Sequence, residues 1–273
     1  MTSTTPAGRA AHPLDLAAPV LVACDIDGTL IRTGHPPTDA VLDAVAKVRA
    51  AGHHVVLATG RSLVGALRAA GQLELDDVWI VASNGAVTAH LVDHGYTVHD
   101  LQVIEPEPVV RLAEDALPGI RIATEIVGIG YRVNLAFPDG ELPGEQHEVR
   151  RLSELWAETT PRAALRGSGA DRLVPALRAL GVTAIPTRPD WVDVTPVGLS
   201  KATALDRVRV GLGVEQGATV AIGDGENDLE MLRWASYSAV MGHAPEHVRS
   251  AGGDVTGTID DDGAAAVLLS LLG

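Results

Sequence analysis

Val20-Leu21-Val22-Ala23-Cys24-Asp25-Ile26-Asp27-Gly28-Thr29-Leu30 is the stretch whose reading decides the fold. Five apolar residues in succession, Val20 to Cys24, spell a strand buried on both faces, as in a parallel sheet. Two carboxylates, Asp25 and Asp27, stand at its C-terminal end, and Gly28 lets the chain turn away. Two ionised groups at the mouth of an apolar strand are costly unless a cation lies between them. A metal site is the first expectation, and its other ligands must come from farther along the chain.

The same grammar recurs on either side of a different texture. Apolar residues at helical spacing (Val41, Leu42, Val45, Val48) predict a helix over 37–51, stopped by Gly52. A strand over 54–58 ends in Thr59-Gly60-Arg61, a helix follows through Leu63, Leu67 and Ala70, and a strand over 78–82 ends in Ser83-Asn84-Gly85. A hairpin-like pair, 87–90 and 97–103, comes next. From Pro106 the pattern predicts a helix to 117, alternating segments at 120–126 and 131–136, a helix over 145–157, a strand at 163–166, a helix over 171–180 and short strands at 182–186 and 191–194. The parallel pattern then resumes with a Ser200-capped helix to Gly211, a strand over 218–222 ending in Gly223-Asp224, and a closing helix over 263–272. The expected fold is α/β: a doubly wound, Rossmann-like parallel sheet (19–102 and 190–273) interrupted by an inserted α+β module near 103–189, after a loose tail over 1–18.

Composition narrows the partners. A net charge of -14 over 273 residues, with 3% aromatics, argues against a nucleic-acid or anionic-membrane surface. Cys24 is the single cysteine, so no intrachain disulfide can form and a reducing, cytoplasmic setting is expected. No run reaches the ~18 apolar residues of a membrane span, and the N-terminal segment lacks the apolar centre of a signal peptide. Oligomeric state is not legible at this level.

Chemistry gathers at the strand ends. Asp25 and Asp27, Thr59 and Arg61, Asn84 and Asp224 each follow an apolar strand, and open parallel sheets bind ligands beyond those carboxyl ends. Arg61 and Lys201 each read as falling in the first turn of a helix, where a bound anion would offset the unfavourable dipole. Asp25, Asp27, Asp224 and Asp228 crowd negative charge, and at ~4 Å with an effective dielectric of ~20 each like-charge pair costs about 4 kcal/mol. All-oxygen ligands beside a phosphate point to Mg2+; the 10 histidines lack zinc-ligand spacing. A dinucleotide fingerprint starting at Gly223 fails because its third glycine falls on Asp228, and a glycosidase pair of Asp25 and Asp27 leaves Thr59, Arg61 and Lys201 without a role.

These residues resemble the haloacid dehalogenase-like superfamily. Asp25-Ile26-Asp27-Gly28-Thr29 matches its opening DxDGT signature, Thr59 in Ala58-Thr59-Gly60-Arg61 its second motif, Lys201 its third and Gly223-Asp224-Gly225-Glu226-Asn227-Asp228 the GDxxND form of its fourth. The long insert, preceded by Ser83-Asn84-Gly85-Ala86, looks like the Cof-like phosphatase branch with an α+β cap; Met241-Gly242-His243-Ala244 departs from that branch's Met-Gly-Asn-Ala. The resemblance implies a phosphatase acting on a small phosphorylated metabolite, a sugar phosphate foremost. Asp25 would be the nucleophile and Asp27 the general acid and base. Mg2+ would be held by Asp25, the Asp27 main-chain carbonyl and Asp224, with Asp228 supporting. Thr59 and Lys201 would bind the phosphoryl group, and Arg61, Asn84 and Asn227 would contact substrate. Arg132, Glu125, Arg166 and Asp190 are candidates for lining the cap side. A phosphomutase and a non-catalytic phospho-receiver are the alternatives; Asp27 and the long insert weigh against the receiver.

Overall fold

The run at 20–24 becomes β1 (Leu21–Cys24), every residue of it buried, in a computed structural model that describes Leu14, Leu16 and residues 18–273. The tail expected over 1–18 lies almost entirely outside the described residues. After β1 come α1 (Asp39–Ala50), β2 (His54–Ala58), α2 (Leu63–Gln72) and β3 (Asp77–Ala82), then an antiparallel hairpin, β4 (Val87–Val92) and β5 (Gly95–Leu101). The insert carries α3 (Pro106–Ala116), β6 (Arg121–Ile126), β7 (Gly130–Val133), β8 (Glu145–Glu148), β9 (Ala163–Arg166), α4 (Val174–Ala179), β10 (Val182–Arg188) and β11 (Trp191–Pro196). The first sheet resumes through α5 (Lys201–Gly211), β12 (Thr219–Gly223), α6 (Leu229–Trp234), β13 (Tyr237–Val240), α7 (Glu246–Arg249), β14 (Asp254–Val255) and α8 (Gly263–Ser270).

The first sheet runs β14-β13-β12-β1-β2-β3-β4-β5, parallel from β14 to β3. Its two faces explain why β1 reads as continuously apolar. Val22 and Cys24 pack with Val41, Val45, Ala66 and Leu268, whereas Leu21 and Ala23 pack with Leu205, Val208, Met231 and Leu232. Helices therefore cover both sides, as a doubly wound sheet requires. Register then builds the site: Cys24 lies opposite both Leu57 of β2 and Ile222 of β12. The residues that follow those three strands consequently emerge along one edge.

The second sheet runs β10-β11-β9-β6-β7-β8. Ile122, Leu165, Val192 and Val194 pack on one face against Val109, Val110 and Leu177 from α3 and α4. Its membership moves one expected boundary. β11 pairs with both β10 and β9, so the second sheet extends to Pro196 and does not stop near 189. The helix expected over 145–157 is also corrected: Glu145–Glu148 is a strand in parallel with β7, and only 152–156 forms a short 3-10 turn. Glu145-Gln146-His147-Glu148 sits at the sheet edge, where charged side chains suit a solvent-facing strand and the apolar alternation that marks strands is missing.

Candidate active site

The turns after β1, β2, β3, β12 and β13, together with the start of α5, supply the site. Asp25 follows β1 and is fixed by its N–H, which donates to the Ile222 carbonyl at 2.9 Å. Lys201 is the first residue of α5, capped by Ser200, whose Oγ accepts from the Thr203 N–H. The Lys201 side chain is 0% exposed, and its Nζ donates to Asp25 Oδ1 and to Asp228 Oδ1, both at 2.6 Å. The second Asp228 oxygen accepts the main-chain N–H groups of Asp224 (3.0 Å) and Gly225 (2.9 Å). Asp228 is thus saturated by a cation and two amides, while Asp25 Oδ2 has no hydrogen-bond partner among the described residues.

Asp224 closes the group. Thr29 Oγ1 donates to its Oδ1 at 3.4 Å, and His243 Nε2 lies 3.5 Å from its Oδ2. His243 Nδ1 accepts the Ile259 N–H at 3.2 Å, which leaves the ring proton on Nε2, facing Asp224. Gly28 is required here: at φ +81° a Cβ would stand 2.3 Å from Asp224 Oδ2.

The second half of the site faces outward. Arg61 forks onto Asp27, Nε to Oδ2 at 2.7 Å and Nη2 to Oδ1 at 2.6 Å, and the Asp27 side chain is 40% exposed. Thr59 is buried, and its Oγ1 accepts the Arg61 N–H at 3.1 Å, leaving the hydroxyl proton for another acceptor. Asn227 Nδ2 donates to Asn84 Oδ1 at 3.1 Å.

Electrostatics favour an added cation. Burial first, then the Asp228 charge, raise the Asp25 carboxyl well above the usual range, with Lys201 opposing. Burial and Asp228 push Asp224 up to about 6. For Lys201, burial disfavours the charge, but Asp228 and Asp25 more than offset it and its pKa rises. Asp25, Asp224 and Asp228 each offer an oxygen within 4.8 Å of the others. Counting Asp27, four carboxylates meet two cations, Lys201 and Arg61, which leaves the charge of one divalent ion. Hard oxygen donors in this number suit such an ion.

The expected site residues therefore meet, with differences in detail. Arg61 precedes the Ser62 N-cap of α2 and does not sit in the helix's first turn; Asp27, not the helix dipole, sets its position. Lys201 does open its helix, but its immediate anions are Asp25 and Asp228. The Asp27 carboxylate is turned to Arg61, apart from the other three. Of the four lining candidates, Glu125 reaches the core, whereas Arg132 pairs with Glu158 and Arg166 with Glu141 inside the insert and Asp190 lies near Arg188. His243 beside Asp224 was visible in the sequence only as a departure from a motif.

A sequence profile of haloacid dehalogenase-like hydrolases matches residues 22–119 and 171–268. The chain is 26% identical over 265 residues to the 5-amino-6-(5-phospho-D-ribitylamino)uracil phosphatase YitU of Bacillus subtilis, covering 92% of this chain and 96% of that one. It is 30% identical over 245 residues to a phosphoglycolate phosphatase of Natronomonas pharaonis, covering 89% and 93%. The solved structure of BT1666, a phosphatase of the haloalkanoate superfamily from Bacteroides thetaiotaomicron, superposes with a TM-score of 0.78 at 25% identity, covering 98% and 99%. With the motifs in order, the strand-end residues gathered at one edge and the profile spanning both halves of the core, the chain belongs to the haloacid dehalogenase-like hydrolase family, in its Cof-like phosphatase branch with an α+β cap.

Proposed function

We propose that this enzyme is a Mg2+-dependent phosphatase that hydrolyses a small phosphorylated metabolite, a sugar phosphate in class, through a phosphoryl group carried on Asp25. The observation that supports it most is the buried Lys201 ammonium joining Asp25 and Asp228 beside Asp224. Asp25 Oδ2, which takes no hydrogen bond among the described residues, attacks phosphorus, and the bond to the leaving oxygen breaks as Asp27 gives that oxygen a proton. Asp27 then takes a proton from water, the water oxygen bonds to phosphorus, and Asp25 departs as carboxylate. The free Thr59 hydroxyl proton and the third Lys201 N–H hold phosphoryl oxygens, with Arg61, Asn84 and Asn227 beside the substrate. A bound Mg2+, held by Asp25, the Asp27 carbonyl and Asp224 with Asp228 behind them, would neutralise the charge that builds on those oxygens. The YitU and phosphoglycolate relatives are named for small phosphomonoesters, which supports the substrate class. The place of action is cytoplasmic, in keeping with the single, buried cysteine; among the described residues no helix is long and apolar enough to cross a membrane.

Phosphate release from a panel of phosphorylated sugars, polyols and acids tests the substrate class, and turnover confined to non-sugar acids would overturn it. Chelation with EDTA should abolish turnover and Mg2+ should restore it. The dependence on pH follows from Asp224, whose carboxyl is pushed by burial and Asp228 from the ordinary 3.8 up to about 6. A carboxyl raised in the folded state loses stability as it ionises, so the cation-free protein weakens as pH rises from roughly 4 to 6. A bound cation removes that penalty and must displace the proton below it. Mg2+ is therefore expected to raise Tm by several degrees more at pH 8 than at pH 5. Equal shifts at both pH values in thermal melts would count against the site.

A further inference from the structure

The insert rests on the core beside the Arg61 turn. Pro143 lies so close to α2 that a Cβ on Gly65 would stand 2.7 Å from its ring. Glu125, on β6, is 3% exposed and crosses the same seam. Ser83 Oγ donates to its Oε2 at 2.6 Å, and the Leu63 N–H donates to its Oε1 at 3.2 Å. Burial pushes this carboxyl's pKa up, with the Ser83 hydrogen bond the largest opposing influence and Arg162 and the Leu63 N–H adding to it.

Both partners belong to the turns that carry site residues. The Ser83 N–H donates to the Arg61 carbonyl at 2.8 Å and the Asn84 N–H to the Thr59 carbonyl at 3.1 Å, so the 59–63 and 83–85 turns form one unit. Ser83 and Asn84 hold φ values of +50° and +54°, which non-glycine residues keep only when surrounding bonds fix them. On the insert side Glu125 is itself anchored. Its N–H donates to the Arg162 carbonyl at 2.9 Å, and its carbonyl accepts from Thr160 Oγ1 at 3.0 Å. Arg162 is in turn locked by Asp193 and by the Tyr131 hydroxyl, all of them buried.

We propose that Glu125 is a positioning residue: by pinning Ser83 and Leu63 it holds the Arg61 turn, so the Asp27–Arg61 fork is aligned only while the insert is docked. The proposal rests on the phosphatase reading above. Its physical consequence is that lifting the insert to admit substrate removes two hydrogen bonds from the turn behind Arg61, and redocking restores them. Water reaching phosphorus before the insert closes would then meet a general acid and base out of alignment.

The test uses the full chain with p-nitrophenyl phosphate and Mg2+. Glu125→Ala is expected to lower kcat at least about tenfold while KM moves less than about threefold. Because Glu125 acts through Arg61, the Glu125→Ala/Arg61→Ala double variant should be no more than about twofold slower than Arg61→Ala. Glu125→Gln keeps an acceptor for the Leu63 N–H and a partner for Ser83, and should recover to within about threefold of the parent. A Glu125→Ala enzyme with parental kcat, or losses that multiply in the double variant, overturns the proposal. Amide hydrogen exchange separates it from the phosphatase reading. Exchange at Leu63 and across 83–85 should quicken about tenfold in Glu125→Ala but not in Arg61→Ala, whether or not the probe is hydrolysed. Unchanged exchange overturns the clamp even in an active enzyme. Should Glu125→Ala not fold, Ser83→Ala removes the core-side partner and carries the same expectations.

Discussion

Asp25→Asn should leave a folded protein that turns over at most about one ten-thousandth as fast as the parent. The replacement keeps the shape of the side chain and removes its carboxylate, whose Oδ2 takes no hydrogen bond among the described residues. Nothing nearby can substitute. Asp228 is saturated by Lys201 and two amides, Asp27 is held by Arg61, and Asp224 lies against Thr29 and His243. Stability should be equal or slightly higher, because burial and Asp228 already disfavour the Asp25 charge. Thermal melts and steady-state phosphate release on the same preparation check both halves. An Asp25→Asn protein with measurable multiple turnover near the parental rate would remove the nucleophile from the mechanism.

Lys201→Ala should damage both fold and activity. The ammonium is wholly buried and is the cation that Asp25 and Asp228 share. Its loss leaves two buried carboxylates facing one another, and breaking a buried ion pair from one side costs about 3–5 kcal/mol. For a chain of this size that lowers Tm by roughly 10 °C. The loss should shrink at pH 5, where the stranded Asp25 carboxylate takes up a proton; the direction of its pKa shift requires that sign. Turnover should fall by about a thousandfold, since the nucleophile loses its orientation and the phosphoryl oxygens lose a donor. A Lys201→Ala protein as stable as its parent at pH 8 would mean that the bridge is not what holds these carboxylates.

How far the sequence could be read follows from the kind of signal each element carries. β1, β2, β3 and β12 are buried on both faces, so they read as unbroken apolar runs, and the polar residues after them fall on one edge by register alone. The start of α5 was legible because Ser200 is a capping residue in a capping position. β8 was not, because an edge strand of Glu, Gln and His has neither alternation nor β-branched residues. Nor was the end of the second sheet. Trp191–Pro196 mixes apolar residues with Asp193 and Thr195 just before the core resumes, and only its pairing with β9 and β10 assigns it to the insert. Pairings between distant side chains leave no trace in local pattern. The fork of Arg61 on Asp27 and the reach of Glu125 to Ser83 span 34 and 42 residues, and each needs the tertiary structure to be seen.

The stereochemical course at phosphorus tests the central claim most directly. A substrate whose phosphoryl group is made chiral with oxygen isotopes is hydrolysed, and the configuration of the released phosphate is read by NMR. Two successive in-line displacements, first by Asp25 and then by water, give retention of configuration. Inversion would show a single displacement by water and would contradict a phosphoryl group carried on Asp25.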